Sequence, residues 1–457
     1  MKAVHSPGDR KRRFGLVSPC AGNLGNAAIL SSVITNIRAR NPNAEFIGIT
    51  LSAEDTQRRH GISAFPISKT FRPNYCWAYT EPHNNGNRRR VQWLGVVKGW
   101  LKKSEALRRL VRKVRVCQSE LGHITKAGRL VRTLDCVMVG GGGAFDEFWG
   151  GRWGHPWTLF KFGALSRAFG VPFVILSVGK CSLEHPLSRF FAKSALRFAS
   201  YCSFRDNDSL EAMHLIAPFL SGHLCPDLAY GYEVPEALGW YESDAARERL
   251  VVGVSPIAWF DPRSWPIKDT RRFQRYLHEL AAMVIWLVRQ QHRVMLFSTD
   301  SPDINVIRDL FAALPKEVAS SSKIEILPAP PEQTTDDLLR KLCGTDLVIA
   351  SRLHGVILSH LIALPVVAIS YDPKVDSHMK EVEQFEYRLD IDKFDVGMLI
   401  ERFGVLREAR ARESAHLRRM VQRYREEVNA QYNLLFGAVP SDARSVEQHG
   451  QYASVES

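Results

Sequence analysis

Ile349-Ala350-Ser351-Arg352-Leu353-His354-Gly355, followed downstream by Tyr371-Asp372-Pro373-Lys374-Val375, is the stretch that decides the fold. An apolar strand over Asp346 to Ala350 runs into a turn that carries Arg352 and His354. An apolar helix over Val356 to Ala363 and a second strand from Pro365 to Ser370 then lead to Lys374. Two parallel strands joined by one helix bring a guanidinium, an imidazole and an ammonium to one sheet edge, the edge at which open α/β folds bind ligands. Arg and Lys suit an anion bearing phosphate or carboxylate, and an imidazole exchanges a proton near neutral pH. The plainer alternative is three inert polar residues at loop ends.

A second stretch adds to the first. The apolar run Asp135-Cys136-Val137-Met138-Val139 leads into Gly140 to Gly143 and then Ala144-Phe145. Glycines after a strand let backbone approach a ligand and leave N–H groups free for an anion, which makes Gly141, Gly142 and Gly143 candidates. The run lacks the Lys-Ser/Thr of a phosphate loop, and Phe145 stands where a dinucleotide fingerprint needs its last glycine. By itself it reads equally well as a tight connection.

The chain has 457 residues, more than one ordinary core accommodates, so two domains are expected. With 45% hydrophobic and 24% charged residues it has a globular composition. The longest uncharged apolar run, Gly355 to Tyr371, is interrupted by His360 and Pro365 and is too short for a bilayer span. The eight cysteines are scattered without a C-x-x-C pair, which fits a cytoplasmic location. No His, Cys and carboxylate spacing points to a metal, and no cofactor is expected. The net charge of +13 is concentrated from Arg88 to Arg115. There Trp100, Leu101, Leu107, Leu110 and Val111 recur at helical spacing opposite lysines and arginines. Such a helix fits either the anionic inner face of a membrane or a packed helix with a solvated basic side. No zinc-finger, RRM, KH or helix-turn-helix pattern accompanies the charge, so nucleic acid is not expected as a partner.

Strand and helix patterns alternate along the whole chain. Strands are expected at Phe14–Ser18, Glu45–Leu51, Cys136–Val139, Pro172–Val178 and Tyr201–Phe204, and again from Leu250 onward. Helices fall between them, with Asn23 and Asp206 as caps. This alternation implies two Rossmann-like domains with parallel sheets and a cleft between them, a GT-B-like α/β architecture. The expected first domain is 1–235, with a basic insertion at about 80–132. The second is 248–400, a charged helix at 401–436 returns toward the first, and 437–457 is a disordered tail.

Six short motifs follow one another in a recognisable order. They are Gly22-Asn23-Leu24-Gly25-Asn26, Gly140–Gly143, Phe204-Arg205-Asp206-Asn207-Asp208-Ser209, Pro226-Asp227, Ser351–Gly355 and Tyr371–Val375. From Phe14 to Glu383 the chain resembles polysaccharide pyruvyl transferases. The resemblance implies transfer of pyruvate from phosphoenolpyruvate to sugar hydroxyls as a ketal, on a glycan acceptor that is free or lipid-linked. In that reading His354 is the proton donor or base. Arg352 and Lys374, helped by Arg205 and Gly141 to Gly143, hold the donor on the second domain. Asn23 and Asn26 meet the acceptor on the first. The family motif usually has Asp where this chain has Asn26, and an amide there can hydrogen-bond a hydroxyl but cannot take its proton. His378 reads as a surface residue, and the plainer alternative for Arg205 is a pairing with Asp206 or Asp208. Two other readings stay open: a nucleotide-sugar glycosyltransferase of the same architecture, and a non-catalytic anion- or glycan-binding protein.

Overall fold

The computed structural model describes residues 11–68, 105–148, 150–179, 183–241, 247–330 and 332–437. The first domain runs β1 (Arg13–Ser18), α1 (Leu24–Arg40), β2 (Glu45–Thr50), α2 (Ala53–His60), β3 (Ser63–Pro66), α3 (Glu105–Val131) and β4 (Cys136–Gly142). It continues with α4 (His155–Phe169), β5 (Phe173–Val178), α5 (Pro186–Phe198), β6 (Tyr201–Phe204), α6 (Asn207–Ile216) and β7 (His223–Leu224). The second begins β8 (Val251–Ser255), α7 (Thr270–Arg289), β9 (Arg293–Leu296), α8 (Asp303–Ala312), α9 (Lys316–Ala319), β10 (Ile324–Ile326) and α10 (Thr335–Leu342). It ends β11 (Leu347–Ala350), α11 (Leu353–His360), β12 (Val366–Ser370), α12 (Pro373–Glu381), β13 (Arg388–Asp390) and α13 (Val396–Phe436).

The two sheets are built alike. The first has the order β3-β2-β1-β4-β5-β6-β7 and the second β10-β9-β8-β11-β12-β13, with every pairing parallel. Strands such as LVIA at 347–350 and VVAIS at 366–370 are buried throughout, because helices cover both faces. In each sheet the direction of winding reverses once, between β1 and β4 and between β8 and β11. Those two gaps are where the crevices of doubly wound sheets open.

Several elements differ from expectation. The strand before the glycine run does not stop at Val139 but continues to Gly142, so the glycines lie largely inside β4. The reason is packing: a Cβ on Gly141, whose φ is +56°, would stand 3.2 Å from Ile29 Cγ2 of α1. α2 has no apolar face to reveal it; Ser52 caps it, and Asp55 within it accepts from the Gly22 backbone N–H at 2.9 Å. The terminal helix begins at Val396 rather than near residue 401. It reaches both domains, with Trp286 against Phe403 in the second and Arg40 on Asn433 in the first at 3.0 Å. Residues 69–104, and the side chains of 105–117, lie outside the described part, so the basic Trp100–Arg115 face does too, as does the tail from 438. Among the described residues no helix is long and apolar enough to cross a membrane.

His378 is a correction. It is 4% exposed, not a surface residue. Its Nε2 lies 3.3 Å from His360 Nδ1 and 3.4 Å from the Tyr230 hydroxyl, and its ring stacks on His360 at 5.4 Å. The first domain supplies Tyr230, a neighbour that the local sequence around His378 could not reveal. Burial pushes the His378 pKa down to about 3 and that of His360 well below its usual value. In the unfolded chain both return to about 6.5. Their contribution to stability is therefore complete above about pH 6.5 and is lost progressively as pH falls toward the folded values. Urea unfolding should show the protein less stable at pH 5 than at pH 7. His378→Gln should remove about 2 kcal/mol of that difference, since one pH unit of unequal protonation is worth about 1.4 kcal/mol. An unchanged pH slope in His378→Gln would show that the imidazole pair is not the acid-sensitive element.

Candidate active site

The loops that leave both switch points converge on one cavity of about 590 Å³. Asn23 and Asn26 enter it from the β1 side and Gly142, Gly143 and Asp146 from the end of β4. Trp259 and Phe260 come from the loop after β8, Asp300 from beyond β9, and Arg352 and His354 from the end of β11. Arg205, Tyr371 and Lys374 complete the wall. The domains are tied together here by backbone: Leu24 N–H donates to Thr299 O at 2.8 Å, Ser301 N–H to Gly22 O at 3.2 Å, and Asn23 bridges Asp300.

The three expected cations are present, and each has carboxylate company. Arg352 grips Asp303 with two N–H groups, at 2.7 and 2.9 Å, and reaches Asp300 at 3.3 Å. Burial works against its charge, but Asp303 and Asp300 more than restore it. Arg205 is buried between Asp206 at 3.2 Å and Asp227 at 3.3 Å. The pairing with Asp206 was one of two open possibilities; Asp208 instead accepts from Ser377 Oγ at 2.6 Å. Lys374 is held least tightly, with Nζ 3.6 Å from Asp372 and 4.9 Å above the Tyr371 ring. Tyr371, Asp372 and Asp146 keep the ammonium of this half-buried lysine charged.

His354 sits in the first turn of α11. Arg352 is the N-cap of that helix and makes no side-chain capping bond. The backbone N–H groups of this turn are the kind that attract an anion. Burial holds the His354 pKa at about 4; Asp227 pulls it upward, and Arg205, Lys374 and Arg352 push it down. The ring is therefore neutral at neutral pH, and its Nε2 is out of solvent contact with no hydrogen-bond partner. On the other domain, a Cβ at Gly25 would lie 1.9 Å from His354 Cγ, so only a glycine in α1 lets the imidazole dock.

Asn23 caps α1 by accepting from Asn26 N–H at 2.9 Å and also bonds Asp300. The Asn26 side chain faces Gly142, where a Cβ would come 3.5 Å from its Oδ1. Sequence reasoning missed the carboxylates. Asp300 and Asp303, in Thr299-Asp300-Ser301-Pro302-Asp303, follow a strand and open a helix, which was the available signal. Burial and the neighbouring Asp303 lift Asp300 to about 6, against the pull of Arg352. Asp146 is also raised, chiefly by burial, although Lys374 opposes it. Among the described residues no cluster of His, Cys, Asp and Glu could hold a metal ion.

Residues 23–373 match the family described as polysaccharide pyruvyl transferase. The chain belongs to the polysaccharide pyruvyl transferase family. The match spans both halves of the cavity, from the Asn23 cap to the loop before Lys374. No curated protein sequence matches the chain. Among solved structures it resembles UDP-bound MnaA of S. aureus, with a TM-score of 0.52, 10% identity, and 92% of this chain and 97% of that chain covered. It also resembles the UDP-GlcNAc 2-epimerase of Methanocaldococcus jannaschii, with a TM-score of 0.52, 8% identity, and 90% and 99% covered. That likeness is one of fold, the two-domain GT-B-like architecture shared by glycosyltransferases and epimerases. Within this pyruvyl transferase family member, the Gly25–His354 fit can be tested directly. Gly25→Ala should lower turnover at least about 100-fold, the scale on which a 1 Å misplacement acts. Adding Gly25→Ala to His354→Ala should cost little more, because the methyl then has space. Losses that simply add in the double variant would mean the methyl acts elsewhere.

Proposed function

We propose that the protein transfers pyruvate from phosphoenolpyruvate to two hydroxyls of a sugar in a polysaccharide or its precursor, forming a ketal and releasing phosphate. The observation that carries this reading is one cavity, in a chain of this family, that holds an unpartnered imidazole nitrogen beside three cations. The enol carbon C3 gains a proton, a sugar hydroxyl adds to C2, the C2–O bond to phosphate breaks, and a second hydroxyl takes its place. The two hydroxyl protons balance the new methyl hydrogen and the released hydrogen phosphate. His354, neutral before the donor arrives, accepts a hydroxyl proton. The donor's negative charge offsets Arg205, Lys374 and Arg352, raises the basicity of the ring and lets it pass a proton on, a role worth about 10²–10⁴-fold in rate.

Lys374 and the first turn of α11 bind the donor's phosphate and carboxylate, with Gly142 and Gly143 allowing close approach and Gly141 shaping the strand behind them. Arg352 and Arg205 present N–H groups already fixed by their aspartates, so little reorganisation accompanies binding. The second domain is thus the donor side, and the first, through Asn23 and Asn26, the acceptor side.

Phosphate release from phosphoenolpyruvate, measured with a panel of glycans, tests the reading. Turnover with a nucleotide sugar instead would replace it with glycosyl transfer. His354→Ala should lose at least about 100-fold in turnover and still bind phosphoenolpyruvate. Lys374→Ala should weaken donor binding by about 1.5–3 kcal/mol, as for a charge-assisted contact. Calorimetry showing unchanged donor affinity in Lys374→Ala would move the donor site elsewhere.

Asp300 makes a pH-dependent prediction. With its pKa near 6, the carboxyl loses its charge as pH falls, and repulsion of the anionic donor falls with it. Between about pH 7.5 and 5.5, donor affinity should rise in the native protein relative to Asp300→Asn. The variant should show only the donor's own titration. Parallel pH profiles would assign no role to this carboxyl.

A further inference from the structure

The cavity is larger than a three-carbon phosphoester needs, and much of its remaining wall is aromatic. The band starts at Tyr371, beneath Lys374, whose ring lies 5.9 Å from Trp265 at an interplanar angle of 80°. Trp265 also meets Phe260 at 6.3 Å and Phe148 at 5.6 Å, and Trp259 backs Phe260 at 4.8 Å. The two tryptophans are the buried layer, 7% and 4% exposed for Trp265 and Trp259. Phe148, 36% exposed, and the half-buried Phe260 form the surface that a ligand would meet. Phe148 comes from the first domain and Phe260 from the second, so the band crosses the cleft. Asp146 anchors it: its Oδ1 accepts from Phe148 N–H at 2.7 Å, and its carboxylate faces the same cavity as Lys374.

An apolar ring surface next to carboxylate and amide acceptors complements a ligand with one C–H face and a rim of hydroxyls. Phosphoenolpyruvate has no such face; a pyranose does. We propose that the aromatic band is the subsite for the acceptor pyranose, with its C–H face on Phe148 and Phe260 and its hydroxyls toward Asp146 and Asn26. Its place in a reaction rests on the pyruvyl-transfer reading, whereas its ligand chemistry does not. Because the two rings belong to different domains, a sugar bound between them would hold the cleft in its present closure.

The test is saturation-transfer NMR with methyl glucoside, galactoside and mannoside on the full chain, beside calorimetry with phosphoenolpyruvate. Saturation should reach the C–H protons of one sugar face. Phe148→Ala and Phe260→Ala should each weaken sugar binding about tenfold, the range expected from losing one ring stack. Phe148→Tyr should keep it, and donor affinity should stay within about twofold in all three, below the free energy of one lost stack. The subsite is overturned if no pyranoside binds the native protein, or if both alanine variants bind pyranosides as tightly as it does. It is also overturned if donor and sugar affinities fall together. Failure of the pyruvyl-transfer reading looks different: sugar binding remains sensitive to the two rings, while no phosphate is released from phosphoenolpyruvate.

Discussion

The short backbone bridge at the domain boundary is the constraint on which the rest of the site depends. Gly22 and Leu24 hydrogen-bond across to Ser301 and Thr299, and Asn23 lies against Asp300. Asp55 holds the Gly22 N–H from behind, and Arg59, in the same helix, donates to Gln333 O of the second domain at 3.1 Å. Without this stitch, two independent Rossmann-like crevices would each offer a fragment of chemistry. With it, the β1/β4 and β8/β11 switch points open into one chamber.

A second constraint is electrostatic. An isolated buried guanidinium is costly, so Arg352 and Arg205 are each supplied with aspartates. The pairing keeps the heads still but leaves the chamber far less positive than its cations suggest. Asp303 is fully buried, so its stability depends on Arg352 as much as the reverse. Lys374, with its longer contact to Asp372 and its place over Tyr371, is the cation with most freedom to turn toward a ligand. Division of labour between fixed guanidinium groups and one adaptable ammonium follows from those distances.

Much of this was legible in the chain. The strand-turn-helix pattern around Arg352 and His354 and the one ending at Lys374 placed three side chains at a sheet edge, and they share one cavity. Local patterns carry that information because a strand end and a helix start are defined by adjacent residues. What stayed hidden needed partners far away in sequence. The aspartates of Arg352 lie beyond β9, Asp300 on the loop and Asp303 at the start of α8, and the burial of His378 depends on Tyr230. The glycine run looked like a turn because nothing nearby shows that Ile29 and Val33 of α1 press against it. The aromatic band left no periodic trace, since its members come from separate loops.

The contact between Gly25 and His354 bears on how such a protein can be recombined. A glycine in the first helix and an imidazole beyond the eleventh strand form one fitted joint, although more than three hundred residues of chain separate them. Exchanging one half for an unrelated Rossmann-like domain would preserve both folds, yet set a foreign helix face against the imidazole. The modular appearance of the two domains therefore stops at this joint, where the shape of each half is set by the other.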